Sequence, residues 1–290
     1  MQTSTDIGEL RGILDRFRRQ GATIGFVPTM GNLHSGHISL IEQSVKQCDF
    51  TVASIFVNPL QFAAGEDFDT YPRTLADDQI KLAEAGCDLL FTPTAEQLYP
   101  RGLEAHTKVI VPEVTRHHCG AHRAGHFDGV STVVSILLNL VQPTVAFFGE
   151  KDFQQVAVIR KLVADLLLPV KIVSGATMRE ADGLAMSSRN QYLSAEHRPV
   201  AAGLYQTLQH IADRISVGEK NFLQLQTEGL AELAQKGFRT EYLNIVRADT
   251  LEVASERDGD IVVLVAARLG QTRLIDNIRI TRSHDKPFQG

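Results

Sequence analysis

Two rhythms alternate along the first 175 residues. Positions 7–20 place Ile7, Leu10, Ile13, Leu14 and Phe17 on one helical face, and Gly21 stops the run. A short apolar stretch at 23–27, bounded by Gly21 and Pro28, predicts a buried strand. From about residue 37, Ile38, Leu40, Ile41 and Val45 return to helical spacing. The alternation continues with a strand at 50–57, a helix at 74–85 ended by Gly86, and a strand at 89–91. A helix at 127–141 carries Val130, Val133, Val134, Leu137, Leu138 and Val141 as one stripe. A strand at 145–148, a helix at 154–168 and a strand at 170–173 close the series. Strands alternating with helices predict an α/β fold: a Rossmann-like parallel sheet with helices on both faces and right-handed crossovers.

The rhythm changes after Gly175-Ala176. Two helical stretches, 195–216 and 221–236, precede three short strands near 241–246, 260–266 and 272–275. That order predicts a smaller C-terminal α+β domain. The expected division is therefore 1–175, carrying the chemistry, and 176–290, placed to act as a lid. Residues 283–290 are polar and expected to fray.

Composition narrows the functional classes. Apolar residues make up 43% of the 290, enough for a real core in two domains. A net charge of −5 gives no support to nucleic-acid or membrane-surface binding. No apolar run approaches a membrane span, and the first residues show no secretory leader. Cys48, Cys87 and Cys119 are few and widely spaced, as expected of reduced thiols in a cytoplasmic protein.

The candidate chemistry sits between predicted elements. Met30, Gly31, His34, Gly36 and His37 join a strand end to a helix start. A helix N-terminus suits an anion, and two imidazoles three residues apart can face one volume. The plain alternative is a tight turn with two surface histidines. Asn58 and Gln61 follow the second strand, at the carboxyl edge where open α/β sheets bind ligands; alone, Gln61 reads as a turn residue facing water. Gly149, Lys151 and Asp152 again lie between strand and helix, where Lys151 can neutralise phosphate and Asp152 can accept from hydroxyls or simply cap the helix. Met186, Ser187, Ser188 and Arg189 offer two hydroxyls and a guanidinium fork, or form a solvated Ser-rich loop. The spacing of His117, His118, Cys119, His122 and His126 fits no standard zinc pattern, so no metal site is expected there. Asp77-Asp78 reads as the solvated face of an exposed helix.

Four strings in order, at 28–37, 54–62, 147–155 and 179–190, resemble the motifs of the pantoate–β-alanine ligase family, within the HxGH nucleotidylyltransferase superfamily. They read Pro-Thr-Met-Gly-Asn-Leu-His-Ser-Gly-His, Ser-Ile-Phe-Val-Asn-Pro-Leu-Gln-Phe, Phe-Phe-Gly-Glu-Lys-Asp-Phe-Gln-Gln and Arg-Glu-Ala-Asp-Gly-Leu-Ala-Met-Ser-Ser-Arg-Asn. The match weakens after about Ala195. Asn32 stands where the family often has Ala, and Ala124 where Pro is common; neither removes a reacting group. The resemblance implies a ligase that joins pantoate to β-alanine using ATP with Mg²⁺, as a homodimer. It implies that Met30, Gly31, His34, Gly36, His37, Gly149, Lys151, Asp152, Met178, Met186, Ser187, Ser188 and Arg189 bind ATP, with Arg189 in the place of a superfamily lysine. It implies that Gln61, Gln155 and Asn58 bind the small substrates, Gln61 lying also near β-alanine, and that the start of the 127–141 helix lines the pantoate pocket.

The expected reaction is two-step. The pantoate carboxylate attacks the α-phosphate to give a pantoyl adenylate and pyrophosphate; the amine of β-alanine then displaces AMP. His34 and His37 stabilise the first transition state, with His37 as proton donor. The competing readings are another nucleotidylyltransferase, a non-catalytic ligand-binding module, and a metal-dependent hydrolase built on the 117–126 histidines.

Overall fold

The computed structural model describes residues 1–63 and 65–282, so the segment 283–290, expected to fray, lies outside the described residues. The chain divides into two units, Met1–Met178 and Arg179–Gly290.

The first unit alternates as the pattern predicts: β1 (Gln2–Ser4), α1 (Ile7–Arg19), β2 (Ile24–Thr29), α2 (Ser35–Gln47), β3 (Phe50–Ile55), α3 (Leu75–Glu84), β4 (Leu89–Phe91), two short helices α4 (Ala95–Leu98) and α5 (Cys119–His122), α6 (His126–Val141), β5 (Val145–Gly149), α7 (Phe153–Asp165) and β6 (Lys171–Gly175). The six strands form one parallel sheet in the order β1-β4-β3-β2-β5-β6. From β2 the chain builds outward through β3 and β4 on one side, then through β5 and β6 on the other. With right-handed crossovers, this reversal puts α2 and α3 on one face and α1, α6 and α7 on the other, and those groups do pack among themselves. β1 was not expected; its Gln-Thr-Ser sequence carries no apolar signal and forms an edge strand on β4.

β2 runs through Pro28, beyond the expected end at Val27. The Ile24 N–H donates to Thr144 Oγ1 and its carbonyl accepts from the Thr144 N–H, so even-numbered residues of β2 turn their polar groups toward β5. Pairing with β5 ends at Phe26, and Pro28 therefore lacks an N–H where no ladder bond exists to lose. β2 and β5 thus part at Phe26, while β2 stays paired to β3 through Thr29, directly before the loop at 30–34.

The helix stripes cover the sheet as anticipated, and Val130, Val133 and Val134 are buried. α2 lies very close to β2: a Cβ on Gly25 would stand 2.1 Å from Ser44 Oγ and 3.0 Å from Cys48 Sγ.

The second unit holds α8 (His197–Ala201), α9 (Gly203–Ser216), α10 (Phe222–Gln235), β7 (Arg239–Arg247), β8 (Asp260–Leu269) and β9 (Thr272–Thr281). Its strands form an antiparallel sheet in the order β7-β8-β9, with α9 and α10 packed on it. The single helix expected at 195–216 is two pieces, and the last strand is longer than expected. Leu204, Leu208, Leu225, Leu233, Leu243 and Val263 are among its core residues.

Gly25→Ala is expected to lower unfolding free energy by about 1–3 kcal/mol through overpacking, read from urea midpoints.

Candidate active site

The loops after β2, β3 and β5 all open on the carboxyl edge of one parallel sheet, and β2 and β5 flank the point where strand order reverses. Open α/β sheets bind ligands at such a point.

The loop after β2 is held from α3. Asp78 is completely buried. Its Oδ2 accepts the Asn32 N–H at 2.9 Å, its Oδ1 accepts the Leu33 N–H at 2.7 Å, and the Thr74 hydroxyl also donates to it. Lys81 Nζ donates to the Leu33 carbonyl at 2.8 Å. This corrects the reading of a solvated face for Asp78, while Asp77 is exposed as expected. A carboxylate one turn into a helix is buried because a loop from elsewhere in the sequence brings its unpaired amides there, and two charge-assisted bonds offset desolvation. Gly31 (φ +84°) and Asn32 (φ +49°) make the sharp reversal. A Cβ on Gly31 would stand 3.2 Å from the Asp78 carboxylate.

His34 is the N-cap of α2 and His37 its third residue. His34 Nδ1 accepts the Gly36 N–H at 3.1 Å, and His37 Nδ1 accepts the His34 N–H at 3.3 Å. The two rings thus form a reciprocal capping box, a role usually taken by a hydroxyl and a carboxamide or carboxylate. With Nδ1 accepting, each neutral ring carries its hydrogen on Nε2. The ring centroids are 4.1 Å apart. Burial lowers the His34 pKa to about 3, helped by His37, Lys151 and Lys81. Burial likewise lowers His37 to about 4, with Asp152 opposing and Lys151 and Lys81 adding to the fall. Both rings are therefore neutral near pH 7. In the free protein each ring offers a neutral N–H donor. The expected bare helix terminus is revised, because imidazoles occupy two amides there and present Nε2–H groups in their place.

The turn at Glu150–Asp152, after β5, supplies charges that act on both rings. Lys151 Nζ lies 3.6 Å from Asp152 Oδ2. Glu150 Oε1 accepts from Ser174 Oγ on β6. Nothing lies within 4 Å of where a Gly149 Cβ would be. Met178 lies beside the histidine turn, its Cβ 3.7 Å from where a Gly36 Cβ would stand.

After β3, the turn at Pro59–Gln61 lies directly on α6. A Cβ on Gly129 would fall 2.2 Å from the Leu60 carbonyl oxygen and 2.6 Å from the Gln61 nitrogen. Asn58 is buried. Its Nδ2 donates to Gln61 Oε1 and the Gly129 carbonyl, and its Oδ1 accepts from Tyr99 Oη and the Leu60 N–H. All four of its hydrogen-bonding positions are used within the protein, so Asn58, grouped at first with the substrate-binding residues, orients Gln61. Gln61 Nε2 reaches Met30 Sδ at 2.9 Å, tying this turn to the histidine loop. The Gln61 carbonyl accepts from His126 Nδ1 at 2.7 Å and from Arg123 Nη2 at 3.3 Å. Arg123 Nη1 donates to His126 Nε2, which leaves the His126 hydrogen on Nδ1. Burial, then the Arg123 charge, lowers the His126 pKa to about 4. Arg123 also grips both oxygens of Glu66 at 2.6 Å, and this outweighs burial to hold that carboxyl below its ordinary range.

Gln155 is half-buried in the first turn of α7. Its neighbour Gln154 is a buried brace: Nε2 donates to the Val114 and His117 carbonyls, and Oε1 accepts the Cys119 N–H. Helical phase gives these adjacent glutamines different surroundings, Gln154 buried and Gln155 half-buried. Among the described residues, no three His, Cys, Asp or Glu side chains come together as a metal site. Among the same residues, no helix is long and apolar enough to cross a membrane.

In the second unit, Met186 precedes a turn at Ser188–Tyr192 capped by Ser187, whose Oγ accepts the Arg189 N–H. Met186, Ser187, Ser188 and Arg189 are all half-buried.

The family model for pantoate-beta-alanine ligase matches residues 2–279. A pantothenate synthetase of Hahella chejuensis is 58% identical over 280 residues, covering 97% of this chain and 99% of the relative. A crystal structure of pantothenate synthetase from Thermus thermophilus superposes with a TM-score of 0.90 at 46% identity, covering 96% of this chain and 99% of that one. A pantoate-beta-alanine ligase of Francisella tularensis, complexed with beta-gamma ATP and beta-alanine, gives a TM-score of 0.80 at 33% identity, covering 96% of this chain and 97% of that one.

Asp78→Ala is expected to cost about 2–4 kcal/mol in a urea titration, because two loop amides lose their buried acceptor. Nitrogen NMR of the free protein should show His34 and His37 as Nε2–H tautomers with no titration between about pH 8 and about pH 5.5. The unfolded rings bind protons below about pH 6.5, whereas the folded rings do not until about 3 and 4. Stability from this pair is thus present above about pH 6.5 and is lost as pH falls toward 4. The His34→Gln/His37→Gln variant should show a shallower acid loss; an equal slope would place the effect elsewhere.

Proposed function

The chain belongs to the pantoate-beta-alanine ligase family, and we propose that it joins pantoate to β-alanine with cleavage of Mg·ATP to AMP and pyrophosphate. The observation that carries this reading is the pair of neutral imidazoles pinned at the start of α2, between the ends of β2 and β5.

In the first step a pantoate carboxylate oxygen attacks the α-phosphorus, and the bond to the bridging oxygen of pyrophosphate breaks. The two Nε2–H groups donate to the α-phosphate as its charge grows. Because Nδ1 of each ring is engaged by a backbone amide, the donors need no reorientation during reaction, which is the condition for electrostatic preorganisation. Lys151 balances phosphate charge and Asp152 accepts from the ribose. Met30, Gly31, Gly36, Gly149 and Met178 form the walls around the nucleotide. Gln61 and Gln155 hold the pantoate hydroxyls and carboxylate, with Gln61 fixed by Asn58, Met30, Arg123 and His126. Met186, Ser187, Ser188 and Arg189 take the outer phosphates. In the second step the β-alanine nitrogen attacks the acyl carbon of the adenylate, AMP leaves, and the amine loses its proton.

The Mg²⁺ enters with the nucleotide. Asp78, the buried acid near the loop, has both oxygens committed to backbone amides and is unsuited to be its ligand. Cytoplasmic location and a homodimer belong to the same proposal. Of the 117–126 histidines, His126 is engaged by Arg123 and the Gln61 carbonyl and serves to hold the Gln61 turn.

Exchange of radiolabelled pyrophosphate into ATP, dependent on pantoate and without amine, tests the first step. A ligand-binding module or a hydrolase would give none. His37→Ala is expected to slow exchange about a hundredfold or more, and an unchanged rate would remove His37 from the chemistry. Arg189→Met should raise the ATP KM with little change in that for pantoate.

A further inference from the structure

The strand-like segment leading to 186–189 is anchored by a residue to which the reaction assigns no role. Arg179 is the first residue of the second unit. Its Nη1 donates to Asp276 Oδ2 at 2.7 Å and its Nη2 to Asp276 Oδ1 at 3.0 Å, a bidentate pair. Asp276 is 3% exposed. The same guanidinium donates to the Gly183 and Asn277 carbonyls and lies 3.5 Å from the centroid of the Tyr205 ring.

These contacts close a small hairpin. Arg179 bridges Ala185 in antiparallel fashion, the Glu180 N–H donates to the Leu184 carbonyl, and the Gly183 N–H donates back to the Glu180 carbonyl. Gly183 (φ +94°) turns the hairpin, and a Cβ there would meet the Tyr205 ring at 2.8 Å. The residue after the hairpin is Met186. Past it, Asn190 Nδ2 donates to the Ala185 carbonyl, and the turn at Ser188–Tyr192 packs on β9, the strand that carries Asp276. One strand therefore fixes both ends of the 186–189 segment.

We propose that Arg179 is a positioning residue for ATP: through Asp276 and Tyr205 it sets the hairpin that presents Ser187, Ser188 and Arg189 to the outer phosphates. The inference rests on the assignment of 186–189 to ATP made above. Only a planar fork satisfies two carboxylate oxygens, two carbonyls and a ring face together; an ammonium keeps the charge and loses that geometry.

The test compares Arg179→Lys, Tyr205→Leu and Arg189→Met in the full chain. Arg179→Lys should raise the ATP KM in pantoate-dependent pyrophosphate exchange by about tenfold or more, the scale of one lost charged hydrogen bond, with the pantoate KM unchanged. Tyr205→Leu should move it the same way by less. Hydrogen exchange should show amides of 184–190 opening in both variants while those of β8 stay protected. An unchanged ATP KM in Arg179→Lys, alongside a raised one in Arg189→Met, would overturn the inference alone. An unchanged ATP KM in Arg189→Met would instead overturn the assignment beneath it. Loss of β8 protection in both Arg179→Lys and Tyr205→Leu would show a contact that only supports the fold, and would overturn the proposal.

Discussion

Two ring nitrogens accepting two backbone amides at the head of α2 are the constraint on which the site depends. That exchange fixes which nitrogen of each ring carries hydrogen, and so makes both histidines Nε2–H donors, with ring centroids 4.1 Å apart. It also passes the positive end of the helix outward through aromatic rings, so that an anion there meets imidazole N–H groups where it would otherwise meet main chain. Low pKa values accompany this arrangement: burial disfavours protonation of both rings, and the charges of Lys151 and Lys81 add to it.

The sheet serves this pair. Its order reverses at β2, pairing between β2 and β5 lapses before Pro28, and the loop that follows is fixed from α3 by Asp78 and Lys81. The turn at Pro59–Gln61 is located from the other face by Gly129 and by the Arg123–Glu66–His126 network. Each of these loops is thus supported by a partner on a different element, so that the direction of its side chains is fixed by tertiary structure and not by the loop that bears them.

Much of this was legible in sequence. Helical stripes and apolar runs located most elements of the first unit within a few residues, because a parallel sheet buried on both faces imposes a strong signal. β1 escaped because three polar residues on an edge need no apolar face. The break between α8 and α9 escaped because Ala202 does nothing to interrupt an apolar stripe. The His34–His37 spacing indicated a shared face, yet the tautomers required knowing which amides the rings accept. Asp78 was misread because burial of a helix acid is decided by a loop 45 residues away in the chain. Asn58 and Gln61 sit in one motif, and only the hydrogen-bond partners separate the brace from the amide it orients.

The double duty of His34 has a consequence for how enzymological losses are apportioned. Deleting its ring also unpairs an amide and loosens the first turn of α2, so the measured deficit mixes chemistry with a melted helix start. Removing the Nε2 hydrogen alone, for instance with an oxazole joined through its C4, whose nitrogen keeps the Nδ1 acceptor and whose oxygen lone pair replaces the N–H, would leave the cap intact and silence only the donor. The difference between those two deficits is the share of rate acceleration owed to rigidity.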